Sequence, residues 1–360
     1  MTVDPRKPHD GLPFLPPGVE LETRPVLKRC LGATRALAEL KGVGGLLPDQ
    51  TILINIIPLQ EAKLSSEIEN IVTTQDELFH AALDEASATD PRAKEVLRYR
   101  TALRHGYEAV LQGGLTGDLL AEVCSVLRDQ KMAFRSEKEL VYIGNRMAGT
   151  VTYTPPRGGR VLLDKLMNLE EFLLVKDGLD PLVRMAVAHY QFEAIHPFTD
   201  GNGRTGRILN ILYLVHAGLL EIPVLYLSRF IIQNKGEYYR LLREVTENGA
   251  WEEWLLYMLQ GVEETALWTT NRIRAIRQLF NATLDRVRGE LPRIYSKELV
   301  ELIFRQPYSK IQFLVEVGIA KRQTASVYLQ ELERIGILTS ERRGREIVYK
   351  HPALVEVLSA

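Results

Sequence analysis

Apolar side chains recur every three or four positions over most of the first 290 residues, which is the spacing of amphipathic α-helices. Before residue 130 this spacing predicts helices over Val26–Leu40, Thr51–Leu64 with a break or kink at Pro58, Thr74–Ala86, Pro91–Leu111 and Asp118–Arg128. After residue 160 it predicts helices over Val161–Leu174, Pro181–Ile195, Gly201–Ala217, Phe230–Asn248 and Trp251–Arg288. The sequence therefore predicts a mainly α-helical core.

One short stretch inside this core has a β-like pattern instead. Residues Tyr142–Thr154 favour β-structure, Gly144-Asn145 and Gly149 interrupt the run, and Pro155-Pro156 ends it. We interpret this stretch as a short β-hairpin that forms a flap.

The pattern changes again after Pro292. A helix over Ser309–Val317, a tight turn at Gly318, a second helix over Lys321–Ile335 and a hairpin over Thr339–Lys350 predict a winged helix-turn-helix. The predicted fold class is thus mainly α, with a short β-hairpin flap and a C-terminal winged helix-turn-helix. We place an N-terminal helical region at 1–110, the core at 111–290 and the winged helix-turn-helix at 291–360.

Composition narrows the function classes. The chain has 360 residues, 46% of them hydrophobic, and a net charge of −1, so no overall charge directs it to nucleic acid or acidic lipid. Cys30 and Cys124 provide neither a disulfide framework nor metal-cluster spacing. Met1–Pro17 lacks an apolar signal-peptide segment, and the polar interruptions in the apolar stretch Ile208–Leu227 favour a buried helix over a membrane span. We expect a cytoplasmic protein with no membrane contact.

The candidate chemistry is concentrated in the segment His196–Arg207, which reads HPFTDGNGRTGR and precedes an apolar helix. Its Gly-Asn-Gly core can turn so that successive backbone N–H groups face an anion at a helix N-terminus. Arg204 and Arg207 share a face of that helix and can clamp adjacent phosphates. Asp200 can hold Mg²⁺, and His196 can take the proton of an attacking hydroxyl group. The segment therefore indicates a site for a nucleoside triphosphate.

This segment resembles the motif H-x-F-x-[DE]-G-N-G-R-x-x-R of the Fic (filamentation induced by cAMP) family, and it matches every specified position. The resemblance extends over much of residues 50–270, and the layout is similar to bacterial Fic proteins that end in a winged helix. It implies a helical core that uses Mg²⁺ and transfers AMP from ATP to a Ser, Thr or Tyr hydroxyl of a target protein. Self-modification and a homodimer are compatible with this resemblance.

The resemblance also implies roles for single residues. His196 is expected to be the general base, and Asp200 the Mg²⁺ ligand. Arg207 is expected to hold the γ-phosphate and so to orient the α-phosphate for in-line attack. The other nucleotide-binding positions of the motif are Gly201, Asn202 and Gly203 in the anion hole, Arg204 as a phosphate ligand, Thr205 and Gly206.

A second motif lies upstream, at Ser65–Asn70. It matches the family's inhibitory pattern [ST]-x-x-x-E-[GN], with Ser65 at the first position and Glu69 as the acid. The resemblance implies that Glu69 pairs with Arg207 and so competes with the γ-phosphate of ATP. An exposed acid on a helix is the ordinary alternative for so short a pattern. We favour inhibition because an arginine–carboxylate pair is charge-assisted and can be bidentate.

Two further segments complete the predicted site. The resemblance implies that the flap covers the nucleotide and docks the backbone of the target by strand addition, whereas an ordinary connector is the alternative. The flap residues concerned are Thr150, Val151, Thr152 and Tyr153. Tyr238 and Tyr239 resemble the wall beside the adenine, and we favour Tyr239 because one of the pair is expected to be core. A polar contact in a relative falls on Thr246 here, which puts that contact in doubt.

The C-terminal segment leaves two partner classes open. Its residues 293–360 hold 11 Lys and Arg against 8 Asp and Glu, a modest surplus of +3. Side chains of the type that contacts DNA lie on the second helix and in the wing: Arg322, Gln323, Thr324, Ser326, Arg342, Arg343 and Arg345. Winged helices also dock proteins, so DNA and protein remain equal alternatives.

The sequence thus predicts a protein adenylyltransferase that Glu69 inhibits. Within the same class, the site could use another nucleotidyl donor or remove AMP from a modified target. In a different class, the chain could be a DNA-binding regulator that only senses nucleotide. The intact His196, Arg204 and Arg207 argue against an inert site.

Overall fold

The computed structural model describes residues 4–45, 51–83, 90–145, 149–343 and 346–359. Helices dominate these residues, and strands form only a two-stranded and a three-stranded antiparallel sheet. The predicted mainly α-helical class is therefore confirmed.

The N-terminal helices lie close to their predicted positions. They are α1 (Arg24–Gly44), α2 (Thr51–Ile68), α3 (Gln75–Leu83), α4 (Pro91–Leu111) and α5 (Gly117–Arg128). Helix α2 continues through Pro58 rather than ending there. The last residues of the predicted helix Thr74–Ala86 lie outside the described residues.

The flap and the central helices follow. They are β1 (Ile143–Asn145), β2 (Thr150–Tyr153), α6 (Arg160–Leu174), α7 (Pro181–Ile195), α8 (Asn202–His216), α9 (Leu227–Gln233), α10 (Lys235–Asn248) and α11 (Trp251–Glu290). The stretch Phe230–Asn248, predicted to be largely helical, is confirmed as such, although Asn234 has non-helical φ and ψ angles of −121° and 32° and separates α9 from α10. The predicted hairpin is confirmed, since β1 and β2 pair antiparallel.

Helices α7 and α8 form the centre of the core. Nearly all residues of both helices are buried, including polar ones such as His189 and Asn210. Helix α8 ends at His216, and no helix among the described residues is long and apolar enough to cross a membrane. This agrees with a buried helix in the apolar stretch Ile208–Leu227. The loop between α7 and α8 carries the first half of the candidate motif.

The C-terminal part contains the predicted helix-turn-helix and hairpin. Its elements are α12 (Lys297–Arg305), β3 (Tyr308–Ser309), α13 (Ile311–Glu316), α14 (Arg322–Arg334), β4 (Thr339–Arg343), β5 (Glu346–Lys350) and α15 (Pro352–Ser359). The first predicted helix begins two residues late, because Ser309 pairs with Tyr349 as a strand. Arg345, predicted in the wing, lies outside the described residues.

Candidate active site

The predicted catalytic histidine lies at a sharp turn between two buried helices. His196 ends α7 in the left-handed region, with φ 49° and ψ 62°, and its N–H donates to Phe192 O. That region is uncommon for a residue with a side chain. Gly201 then enters α8 with φ 84°, a conformation that favours glycine. The two turns bring the chain from the end of α7 to the start of α8 within six residues.

Two buried side chains hold the loop between these turns. Asn202 Oδ1 accepts from Phe198 N at 2.8 Å, and Asn202 Nδ2 donates to Phe198 O at 2.8 Å. The ring of Phe198 is buried and stacks on Phe134 with a centroid distance of 5.6 Å. The Asn202 amide therefore fixes the loop, and only its backbone remains for the predicted anion hole.

Replacing Asn202 by alanine is expected to destabilise the fold by about 2 kcal/mol, because both buried backbone groups of Phe198 lose their partner. Urea denaturation monitored by circular dichroism measures this loss. Thr199→Ala, at an exposed position of the same loop, serves as the control and should change stability by less than about 0.5 kcal/mol. Equal stability of the two variants would contradict the role assigned to Asn202.

The inhibitory and catalytic motifs meet at the start of α8. Arg207 Nη2 lies 2.9 Å from Glu69 Oε1 and donates to Ser65 O at 3.0 Å, and Arg207 Nε donates to Ser65 Oγ at 2.8 Å. A methyl group built on Gly203 would lie only 2.4 Å from Glu69 Oε1. The Glu69 carboxylate therefore rests against the backbone at the N-terminus of α8, where the helix dipole favours an anion.

Helix α2 is fixed in the position that presents Glu69. Its buried Glu61 accepts from Tyr99 Oη at 3.2 Å and from Ser228 N at 3.1 Å. Lys235 Nζ donates to Ile68 O at 2.6 Å, which places a cation at the C-terminal end of α2. These contacts come from α4, α9 and α10, so the packing of three helices sets where Glu69 lies.

The Glu69 carboxyl is ionised well below neutral pH. Burial raises its pKa, but the charge of Arg207 and its hydrogen bond outweigh burial, and the net pKa lies below the ordinary 4.5. A depressed carboxyl pKa means that the ion pair is complete above the ordinary value and is lost only as pH falls through the lower one.

We therefore expect inhibition by Glu69 to be independent of pH between about pH 5 and 8, because its carboxylate stays charged over that range. The measurement is the ratio of the AMP-transfer rates of Glu69→Gly and the wild type at several pH values. Both proteins share every other titrating group, and removing Glu69 shifts the His196 pKa further below this range, so a change in the ratio would report on Glu69. A ratio that falls steadily from pH 7 to 5 would contradict the prediction.

A second charged network lies on the other side of the helix start. Glu95 Oε1 bridges two arginines, at 2.9 Å from Arg204 Nη2 and 3.2 Å from Arg128 Nη1. Arg128 Nη2 also lies 2.9 Å from Asp200 Oδ2, and Asp200 Oδ1 accepts from Gly201 N at 2.6 Å. Arg204 is buried, and its Nε and Nη1 have no hydrogen-bond partner among the described residues. Arg204 thus places buried, unpartnered donors beside the start of α8.

His196 has the protonation state that a base requires. Burial first, and then the charge of Arg135, lower the pKa of His196 from 6.5 to about 4, against the opposing carboxylates of Glu69 and Asp200. Its Nδ1 is buried and has no partner among the described residues. The imidazole is therefore neutral at pH 7 and can accept a proton.

The remaining predicted site residues differ in how open they are. Thr205 is buried and donates its hydroxyl to Gly201 O at 2.9 Å, and Gly206 packs against Glu193. Tyr238 is buried and hydrogen-bonds to the ring of His189, whereas Tyr239 is 44% exposed. Of the two tyrosines, only Tyr239 therefore exposes its ring. The nucleotide contacts of Thr205, Gly206 and Tyr238 stay predictions, because all three are packed inside the protein.

The flap lies beside the end of α7. Thr150 and Thr152 are exposed, Val151 and Tyr153 are half-buried, and Tyr153 Oη donates to Ala194 O at 3.0 Å. A side chain on Gly144 would collide with Thr150 O, so the close approach of the two strands requires a glycine there. The hydrogen bond from Tyr153 ties the flap to α7 two residues before His196.

Several residues of the site carry no sequence signal. Arg128, Arg135, Glu61, Glu95 and Lys235 lie outside both motifs, and each reaches the site from a different part of the chain. Isolated charged residues in helical sequences are usually solvent-exposed, so only the structure singles them out.

Comparison with known families agrees with this geometry. The model of the Fic/DOC family N-terminal region matches residues 27–108, and that of the Fic/DOC family matches residues 118–214. The chain belongs to the Fic family. Residues 279–354 match the model described as protein adenylyltransferase SoFic-like, C-terminal domain. The segment that matches the Fic/DOC model contains α7, His196 and most of α8.

Individual relatives match parts of the Fic chain. A probable protein adenylyltransferase of Aquifex aeolicus is 25% identical over 202 residues, which are 54% of this chain and 57% of that protein. A protein adenylyltransferase Fic of Nematostella vectensis is 41% identical over 85 residues, 23% of this chain and 18% of that one. The chain therefore spans little more than half the length of the Aquifex relative.

The fold also matches a solved structure along nearly its whole length. A Fic family protein from Desulfovibrio desulfuricans superposes with a TM-score of 0.59 and covers 94% of this chain and 98% of that chain. At 19% sequence identity this match concerns the fold alone.

Proposed function

We propose that this Fic protein is a protein adenylyltransferase, which transfers AMP from ATP to a Ser, Thr or Tyr hydroxyl of a target protein and is held inactive by Glu69. The observation that carries the proposal is the Glu69–Arg207 contact of 2.9 Å, made against the glycine-rich start of α8. The Glu69 carboxylate thus occupies the place where a phosphate group of a bound nucleotide would lie. The names of the relatives favour adenylyl transfer among the reactions that use a bound triphosphate.

The nucleotide would bind with its phosphates at the N-terminus of α8. Backbone N–H groups at Asn202 and Gly203, the unpartnered donors of Arg204, and Arg207 once Glu69 withdraws, supply positive potential there. Tyr239 offers an exposed ring for the adenine. The start of α8 would then bind the phosphate end of the nucleotide, and Tyr239 would contact its adenine end.

Asp200 fits the metal that accompanies ATP. Its carboxylate is 59% exposed beside the phosphate site, and Mg²⁺ in such sites commonly takes one or two carboxylates and completes its shell with phosphate oxygens and water. Among the described residues no three His, Cys, Asp or Glu side chains converge on a metal. Mg²⁺ would neutralise phosphate charge, and Arg128 would hold the Asp200 carboxylate in place.

His196 would carry out the proton transfer. Its neutral imidazole takes the proton of the target hydroxyl, whose oxygen forms a bond to the α-phosphorus as the bond to the β-phosphate oxygen breaks. The products are the AMP-modified target, pyrophosphate and protonated His196. Arg207 on the γ-phosphate would keep pyrophosphate in line with the attacking oxygen.

Two labelled nucleotides test the proposed reaction. Glu69→Gly protein is incubated with Mg²⁺, a cell lysate and ATP labelled on either the α- or the γ-phosphate. Above the background of lysate alone, adenylyl transfer is expected to add label from α-labelled ATP and none from γ-labelled ATP, and mass spectrometry should find one AMP on a hydroxyl side chain. Protein labelled from γ-labelled ATP would indicate a kinase instead. If UTP labels protein in preference to ATP, the transferred group is UMP rather than AMP.

A different outcome would favour a nucleotide sensor. If neither label reaches protein while the chain binds double-stranded DNA in a nucleotide-dependent way, the adenylyltransferase proposal is overturned. The C-terminal part could bind either DNA or a protein, because α14 exposes Arg322, Gln323 and Thr324.

A further inference from the structure

A buried arginine outside both motifs joins the flap to the catalytic turn. Arg135 lies between α5 and the flap and is 2% exposed. Its Nε donates to His196 O at 2.8 Å, and its Nη2 donates to Ile195 O at 3.0 Å and to Pro156 O at 2.9 Å. One guanidinium thus binds the last carbonyls of α7 and the segment that leaves the flap.

The backbone and the third nitrogen of Arg135 extend this junction. Its N–H donates to Pro197 O at 2.9 Å, its carbonyl accepts from Gly159 N at 2.7 Å, and its Nη1 donates to Glu139 O at 3.1 Å. The Glu139 carboxylate is bonded to Ser136 instead. The hydrogen bonds that the Arg135 guanidinium donates thus go to carbonyl oxygens. Burying a charged group without an ion-pair partner costs free energy of folding.

We propose that Arg135 is a positioning residue for AMP transfer, which fixes the flap in register with His196. The inference rests on the proposed function, because the flap is where the target backbone would dock. A rigid planar fork with five donors can join three backbone segments, and the compact ammonium group of lysine cannot. Losing the fork would shift the docked hydroxyl relative to the imidazole while leaving the phosphate site on α8 in place.

The charge of Arg135 has a separate consequence. After burial, the charge of Arg135 contributes most to the low pKa of the His196 imidazole. An interaction with the backbone of Glu193 opposes it, and so do the charges of Glu69, just beyond α2, and of Asp200 in the motif. Removing the positive charge is therefore expected to raise the pKa of His196, whereas a lysine would retain part of the effect.

The experiment compares Arg135→Lys and Arg135→Met in the Glu69→Gly background. Calorimetric titration with ATP and Mg²⁺ measures nucleotide affinity, and transfer of α-labelled ATP to lysate protein at saturating ATP measures the reaction. Both variants are expected to keep ATP affinity within about twofold and to lose about 10- to 100-fold in transfer rate, the range produced by misplacing a reacting group. Arg157→Lys, an exposed arginine after the flap, is the matched control and should retain full transfer.

A second measurement tests the charge effect of Arg135 independently of transfer. NMR titration of histidine-labelled protein is expected to show the His196 pKa moving up in Arg135→Met and less so in Arg135→Lys. The inference is overturned if Arg135→Lys transfers AMP at the rate of its parent, or if ATP affinity and transfer fall in the same proportion. If the Glu69→Gly parent transfers nothing, the proposed function fails and the positioning role fails with it, whereas an active parent with an equally active Arg135→Lys variant overturns the positioning role alone.

An independent observation concerns the contact between α3 and the C-terminal sheet. Asp76 on α3 accepts from Tyr308 Oη and from Lys350 Nζ at 3.1 Å, and its Oδ2 lies 3.6 Å from Arg343 Nη2. His80, one turn later, lies 2.8 Å from Glu341 Oε1. We call these six residues the Asp76 cluster. The contacts join one short helix to β3, β4 and β5.

The chain between Glu69 and the Asp76 cluster is short and hydrogen-bonded. Five residues separate Glu69 from the first residue of α3, and Ile71 N donates to Ser66 O at 3.0 Å. A capping box then starts α3, since Glu77 N donates to Thr74 Oγ1 at 3.2 Å and Thr74 N donates to Glu77 Oε2 at 2.9 Å. A displacement of α3 would therefore be transmitted to Glu69.

We infer that the C-terminal part is a latch on the inhibitory helix: its sheet holds α3 through the Asp76 cluster and so keeps Glu69 on Arg207. This also rests on the proposed inhibition. Asp76→Ala and Tyr308→Phe are expected to raise AMP transfer several-fold in the wild-type background and to add nothing in Glu69→Gly. Arg342→Ala, on the exposed wing, is the matched control and should leave transfer unchanged.

Hydrogen exchange gives a readout that does not depend on activity. Amides 65–71 are expected to exchange faster in Asp76→Ala than in the wild type, because the end of α2 loses its support. Unchanged exchange together with unchanged transfer in an active system overturns the latch. An equal gain of transfer in the Glu69→Gly background also overturns it, because the cluster would then act on something other than Glu69.

Discussion

Replacing Glu69 by glycine is expected to raise the rate of AMP transfer by about 10- to 100-fold at ATP concentrations near the wild-type KM, since a charge-assisted hydrogen bond contributes about 1.5–3 kcal/mol. The wild-type resting state has Glu69 Oε1 at 2.9 Å from Arg207 Nη2 and against Gly203. Under the proposed inhibition, ATP displaces this carboxylate before its γ-phosphate reaches Arg207. Glycine removes the competitor, so both ATP affinity and correct placement of the α-phosphorus should improve.

A matched control separates this effect from loosening of the chain at the end of α2. Glu67→Gly introduces glycine into the last turn of α2, where the carboxylate lies 3.9 Å from Lys63 rather than on Arg207. It carries a helix penalty of roughly 1 kcal/mol, whereas Glu69 lies one residue beyond α2, and it should leave transfer near the wild-type rate. Label transfer from α-labelled ATP and calorimetric ATP affinity give the two readouts. Equal activation by both variants would show that loosening α2, rather than freeing Arg207, starts the reaction.

Replacing His196 by alanine in the Glu69→Gly background is expected to lower transfer by about 10²- to 10⁴-fold, the range of general-base catalysis. The neutral imidazole at the end of α7 is the proposed proton acceptor, and alanine offers no substitute. ATP affinity should change little, because the phosphate donors belong to α8. A loss of kcat with unchanged ATP affinity is therefore the expected signature.

The control for this variant is His216→Ala, which removes an exposed histidine from the far end of α8. It should transfer AMP at the rate of its Glu69→Gly parent. Full activity of the His196→Ala protein would show that His196 is not the general base of the reaction.

The sequence predicted the framework of this site because its signals are local. Helical spacing located α7 and α8, and the Gly-Asn-Gly run located the turn that opens α8. Local signals failed where tertiary contacts decided the backbone. The strand at Ser309 forms by pairing with Tyr349, a residue that lies outside any local window of sequence.

The sequence by itself determined the helical class, the flap and the residues of both motifs, since each depends on residue type at short spacing. The tertiary structure decided what those residues touch. Glu69 and Arg207 are 138 positions apart, and Arg135 and His196 are 61 apart. The packing of α2 beside α8, and of the flap segment against the end of α7, brings them within hydrogen-bond distance. A local pattern cannot specify such approaches, because they depend on how whole helices pack.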